Sequence, residues 1–201
     1  MDSLQINQWN SVASKISFTL EPDLLVFKEQ VSLDSKVLDY GCGYGRVTNK
    51  FYKAGYKNIV GYDTSPEMIK RGQQNFPDLD LQTYEFPALP CSDNTFDAAI
   101  CCAVLTCIPN INGRNKILDE LGRVLKPSGM LYVCEFARNP DIEYDENGVF
   151  KTRFDVEMKH FSKDDFLSLF QNFKQKFLRE KPAKSISGIV HSSFHYIGFN
   201  E

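Results

Sequence analysis

The chain has 201 residues, 42% hydrophobic and 24% charged, which supplies one full globular core and leaves little length for a second. Its 23 basic and 26 acidic side chains give a net charge of −3, without the basic excess of a general nucleic-acid surface, so DNA is not an expected partner. The longest apolar run, 98–105, falls far short of the roughly 20 residues of a membrane-spanning helix. The opening MDSLQINQWN has neither the basic cluster nor the apolar stretch of a leader, so a cytoplasmic chain is expected.

Residues 1–35 precede the first strand signal and hold one amphipathic stretch, 22–31; they read as an N-terminal cap or lid, with Trp9 free to close over a site. KVLDY at 36–40 reads as a strand, 46–54 as a helix with Val47, Phe51 and Ala54 on one face, and NIVGYD at 58–63 as the next strand. Thr64, Ser65, Pro66 and Glu67 then open a helix, with Thr64 and Glu67 in capping-box register. LDLQTYE at 79–85 is a further strand, and FDAAICCAV at 96–104 is apolar enough for a central strand buried on both faces.

Ile117, Leu118, Leu121, Val124 and Leu125 form a helical stripe, and KPSG at 126–129 turns the chain into MLYVCEF. The stretch 139–161 is polar and weakly patterned, which marks a substrate-side insertion or lid. Ser162 caps a helix burying Phe166, Leu169, Phe170 and Phe173; strands at 176–181 and 190–199 follow with no helix between them, a connection that antiparallel pairing explains. The expected fold is α/β: a doubly wound, Rossmann-like, seven-stranded sheet, mostly parallel with an antiparallel last strand, helices on both faces, in one domain over 1–201. The six cysteines form no CxxC pair and read as buried free thiols.

The most informative stretch is VLDYGCGYG at 37–45, a strand running into a glycine-rich turn and then a helix. Such glycines let backbone approach a ligand closely, and Asp63 at the next strand end can accept bonds from both ribose hydroxyls, so an adenosine-type ligand is implied. Asp39 beside the turn repels a pyrophosphate and attracts an ammonium or sulfonium, and no GK[ST] sequence exists. The turn therefore suits a cationic ligand.

DxGxGxG at 39–45, Asp63, LPCSDNTFD at 89–97 and LGRVLKPSGMLYV at 121–133 together resemble the successive motifs of class I S-adenosylmethionine-dependent methyltransferases. The similarity spans 36–135 and is greatest to the small-molecule branch (methyltransferase domain 11 type) that includes ubiquinone and menaquinone methyltransferases. It implies S-adenosyl-L-methionine as cofactor and a small-molecule acceptor. Asp39, Tyr40 and the backbone of Gly41, Gly43 and Gly45 would hold the methionine end, and Asp63 the ribose. Thr64, Met68, Glu85 and Phe86 would lie by the adenine, and Cys102 and Ala103 would floor the site near the sulfonium. Glu85 departs from the usual Asp, and Thr106 with Cys107 from a polar pair that often contains His.

Methyl transfer asks the protein to align two atoms and exclude water, with a base needed only for a nucleophile that must lose a proton. His160 and Glu135, on segments expected at the ligand face, are the candidate catalytic residues. Lys181 and Lys184 are expected to emerge on the same face. His191 and His195 share one strand face but have no third ligand in sequence, so no metal is expected. The rival readings are a catalytically silent methyltransferase-like subunit, a methyltransferase acting on protein or RNA, and a nicotinamide oxidoreductase, which the glycine spacing and Asp39 disfavour.

Overall fold

A computed structural model describes residues 3–152, 155–184, 188 and 190–201. Two helices come first, α1 (Ser3–Val12) and α2 (Leu24–Lys28), then β1 (Val37–Tyr40), α3 (Arg46–Lys53), β2 (Ile59–Asp63), α4 (Pro66–Asn75), β3 (Asp80–Thr83) and β4 (Phe96–Cys102). A 3-10 turn (Leu105–Cys107) leads to α5 (Ile111–Val124) and β5 (Leu125–Phe136). A hairpin of β6 (Val149–Lys151) and β7 (Glu157–Lys159), the short α6 (Lys163–Leu167) and the long pair β8 (Phe173–Lys184) and β9 (Val190–Asn200) complete the chain.

The seven strands run in the order β3-β2-β1-β4-β5-β9-β8, with β9 antiparallel to both its neighbours and every other pairing parallel. The strand order reverses between β1 and β4, and in open α/β sheets the crevice beyond the carboxyl ends at that point takes the ligand. Strand alternation divides the core. Leu38, Ala99 and Leu131 pack with Ile117 and Leu121 of α5 and Phe166 of α6 on one face; Val37, Ala98 and Tyr132 pack with Phe27 of α2 and Val47 and Phe51 of α3 on the other. Helices thus cover both faces, as the alternation of periods predicts.

Four local expectations change. The cap of α4 is Ser65, whose Oγ accepts the Met68 amide at 3.2 Å; with Pro66 at the first helical position the cap must be the residue before it, not Thr64. Across the KPSG turn, β5 pairs Leu125 with Phe96 and resumes with Met130 opposite Ala98, so 126–129 loop out of an otherwise continuous strand. The helix capped by Ser162 ends at Leu167, because Phe173 already opens β8. The 139–161 stretch contains the β6–β7 hairpin and is pinned at its base by a bridge between Ala137 and Phe161. Trp9, Val12 and Ile16 pack with Met68 of α4 and Val156 of the hairpin, so the N-terminal segment and the insertion meet above the sheet.

Cys42, Cys101 and Cys134 are buried, whereas Cys91, Cys102 and Cys107 are half-buried. Among the described residues no helix is long and apolar enough to cross a membrane.

Candidate functional site

The turn after β1 is built from backbone. The amides of Gly41 and Cys42 donate to the Tyr62 carbonyl at 2.8 and 3.0 Å, which bends the chain off the sheet between two parallel strands. Gly41 has φ +68°, and a Cβ there would stand 2.6 Å from Val104, so any larger residue meets both strain and a clash. Gly43 has φ +56°, and a Cβ would meet the Phe18 ring at 3.0 Å. That ring stacks on Tyr44 at 5.6 Å between centroids, placing the N-terminal segment directly on the glycine turn.

Two carboxylates frame the turn. Asp63 accepts the Gly43 amide on one oxygen and the Ser65 amide on the other, both at 2.8 Å, and so ties the turn to the start of α4. Burial raises its pKa, opposed by those amides. Asp39 is buried on β1 and accepts the Thr48 hydroxyl at 2.6 Å; burial, outweighing that bond and the nearby Arg46, pushes its pKa up to about 7. Arg46 binds Glu21 and the Leu20 carbonyl, yet its buried Nε has no partner among the described residues.

A cavity of about 70 Å³ lies over the turn, lined by Asp39, Gly41, Gly43, Asp63, Met68, Cys102 and Ala103 from the sequence-derived set, together with Arg46 and Phe18. It shares Trp9, Phe18, Ala103 and Cys107 with a second cavity of about 550 Å³, walled by Ile16, Phe136, Phe150, Met158, His160 and His191 among others. Ala103, at the junction, holds φ +57°, a left-handed conformation that L-residues adopt at a cost of roughly 1–2 kcal/mol.

The remaining residues singled out from the sequence lie elsewhere. Tyr40 turns its side chain into the core and shares a 2.6 Å hydrogen bond with Tyr84. Gly45, φ +78°, caps α3 and packs on Leu81. Thr64 is buried at the end of β2 and is not among the described lining residues. Glu85 is exposed and bridges to Ala88, and Phe86 packs against the core; neither lines either cavity among the described residues.

Glu135 needs a correction. Its carboxylate accepts the amides of Val104, Leu105 and Thr106 at 2.9, 2.7 and 3.1 Å, so it anchors the 3-10 turn from beneath and lines neither cavity. Burial nevertheless pushes its pKa up to about 8. His160 does line the larger cavity; burial and then the neighbouring His191 depress its pKa to about 3, so at neutral pH it is uncharged and a weak base. Lys181 is committed to Asp23 at 2.8 Å and lines neither cavity, as is true of Lys184. His195 is held by Tyr132 and Ser193 at 2.6 and 3.0 Å, away from His191. Among the described residues no group of three metal-ligating side chains converges.

Phe18 and Phe150 had no sequence signal, because both lie in stretches without period and are recruited by long-range packing. Arg46 was not singled out from the sequence either, although it directly follows the glycine turn.

Residues 38–133 match the methyltransferase domain family. A demethylmenaquinone methyltransferase of Renibacterium salmoninarum is 37% identical over 102 residues, covering 51% of this chain and 41% of that protein. A sterol 4-C-methyltransferase of Caenorhabditis elegans is 29% identical over 136 residues, covering 65% and 40%. The chain thus spans about two fifths of the length of these curated relatives. A Methanosarcina mazei SAM-dependent methyltransferase structure superposes with TM-score 0.82 at 23% identity, covering 90% of this chain and 99% of that one. The 1,6-didemethyltoxoflavin-N1-methyltransferase of Burkholderia thailandensis, whose structure holds its substrate and S-adenosylhomocysteine, gives 0.67 at 14% identity, with coverages of 96% and 78%. At such identities the structural likeness establishes the fold.

Proposed function

We propose that this chain, whose residues 38–133 match a methyltransferase domain, is a class I S-adenosylmethionine-dependent methyltransferase that moves the cofactor's methyl group to a small-molecule acceptor held in the larger cavity. The observation that carries this reading is the pairing of a carboxylate-framed glycine turn at the β1/β4 reversal with an apolar chamber that meets it at Ala103. The donor set fits the cofactor: Asp39 suits an ammonium, the buried Arg46 Nε suits a carboxylate, and Asp63 already holds the end of β2 where a ribose would lie. Bound there, S-adenosylmethionine supplies a methyl carbon activated by its sulfonium charge for in-line displacement.

The chain's own contribution is placement. Met68 and Cys102 wall the smaller cavity, Ala103 and Cys107 form the partition, and Trp9 and Phe18 from the N-terminal segment roof both spaces and exclude water. Glu135 is spent on three amides and His160 is a weak base, so neither sequence-derived candidate is a strong general base, which favours an acceptor atom that is nucleophilic as bound. The roof formed by α1 and the β6–β7 hairpin favours a small acceptor over a protein or RNA, and the thiols suit the cytoplasm.

A thermal shift tests the reading. S-adenosylhomocysteine at 100 times its dissociation constant adds about 2.7 kcal/mol, a rise of roughly 5–11 °C at this chain length, whereas NAD should give none. The reverse pattern overturns the assignment. Transfer of a labelled methyl group to an added acceptor would then separate an active enzyme from a silent binding subunit.

A further inference from the structure

Two imidazoles, His160 and His191, line the larger cavity, and for His191 the surrounding hydrogen bonds decide where the proton sits. The Asn139 side-chain oxygen accepts the Asp141 amide at 2.9 Å, which fixes its NH2 as the group facing the Val190 carbonyl at 3.1 Å and His191 Nδ1 at 3.5 Å. His191 Nδ1 therefore accepts, and its proton sits on Nε2. That Nε2 is buried and has no partner among the described residues, on a residue only 5% exposed that lines the cavity. The neighbouring His160 shares a hydrogen bond through Nδ1 with the Tyr144 hydroxyl at 2.8 Å, and that hydroxyl also accepts the Asn139 backbone amide at 3.0 Å. The two rings stand edge to face, 5.3 Å between centroids, with Phe136 against both. Burial lowers the pKa of both imidazoles, that of His160 to about 3.

A buried N–H without an acceptor is destabilising, and a cavity occupant with a suitably placed oxygen removes that cost. The rest of the wall constrains the occupant. Phe150, Met158, Val156 and Ile142 offer apolar surface, while exposed Asp141 and Glu143 stand at the margin and Lys151 there is paired with Asp155 at 3.3 Å, so an anion is unwelcome. Resting on the reading of this cavity as the acceptor chamber, we propose that His191 Nε2–H is the specificity-determining donor for the acceptor substrate, an uncharged, mostly apolar compound bearing a carbonyl or hydroxyl oxygen. Asn139 is the positioning residue that holds the donor tautomer.

The test titrates the full chain calorimetrically with 2-naphthol and with naphthalene, which differ by one oxygen. The wild-type chain should bind 2-naphthol at least about tenfold more tightly, the ratio a single well-placed hydrogen bond supports. His191→Phe should bring the ratio close to one with naphthalene affinity kept, and His191→Gln, which restores an N–H, should recover part of the preference. Equal affinities in the wild type, binding of neither compound, or a preference that survives His191→Phe overturns the proposal. Two-bond proton–nitrogen spectra of the wild-type chain labelled with 15N-histidine need no variant. They should show the His191 proton on Nε2 and a shift of that nitrogen with 2-naphthol alone; a proton on Nδ1 or an unmoved resonance overturns it. A chain that ignores S-adenosylhomocysteine yet keeps the His191-dependent preference sinks the methyltransferase reading, and with it the occupant's role as acceptor, and leaves His191 Nε2–H only as the donor that selects what the cavity binds.

Discussion

Asp39 and Glu135 are both buried carboxylates near the carboxyl ends of central strands, and their partners give them different duties. Asp39 accepts one hydroxyl and borders the smaller cavity, so it keeps capacity for a ligand; Glu135 accepts three amides and has none to spare. With a pKa near 7, Asp39 is largely protonated at pH 6, and an ammonium placed beside it lowers that value. Binding of S-adenosylhomocysteine at pH 6 should therefore release up to one proton, read from calorimetry in buffers of different ionisation enthalpy, and Asp39→Asn should abolish the release. Proton uptake by the wild type would show that no cation meets this carboxylate. Glu135→Gln leaves one acceptor oxygen for three amides, costing roughly 2–4 kcal/mol and lowering the melting temperature by roughly 5–15 °C.

The elements that position the site are held by short-range chemistry at one end and long-range packing at the other. Ser65 caps α4 and donates to Asn10 at 2.6 Å, so a single hydroxyl both starts one helix and fastens α1 over the cavities. Ser65→Ala should cost about 1 kcal/mol, a fall of roughly 2–4 °C, and should speed amide exchange in α1 more than in α4, because the last turns of α4 remain packed. Where patterning reflects burial on one sheet, the sequence was readable: β1, β4 and the stripe of α5 announce themselves because each buries a regular set of apolar positions. The β6–β7 hairpin was not readable, since its strands are three residues long and its hold on Val156 comes from α1, more than a hundred residues away. The carboxylates and glycines of the turn were visible by type and spacing. The tautomer of His191 depends on Asn139 and Val190, which no spacing rule brings together.

Across the whole molecule these buried ionisable groups act in opposite directions on stability, and the balance changes with pH. Burial lowers His160 to about 3 and, with Lys181, His195 to about 4, so between those values and 6.5 the unfolded chain binds protons that the folded chain refuses, and stability rises with pH. Asp39 and Glu135 do the reverse: from their ordinary 3.8 and 4.5 up to about 7 and about 8 the folded chain keeps protons that the unfolded chain has released, so stability falls as pH rises. The two trends oppose each other below pH 6.5; above it the histidines have fallen silent and the carboxylates act alone. Each group still holding its proton contributes a slope of roughly 1 kcal/mol per pH unit, so the ligand-free chain should lose roughly 4–8 °C in melting temperature between pH 6.5 and 8. Glu135→Gln, though less stable throughout, should flatten that decline, because the group that carries most of it no longer titrates. A melting temperature that climbs across this interval would mean that Glu135 is already ionised in the folded chain, and its three amide bonds would then outweigh its burial.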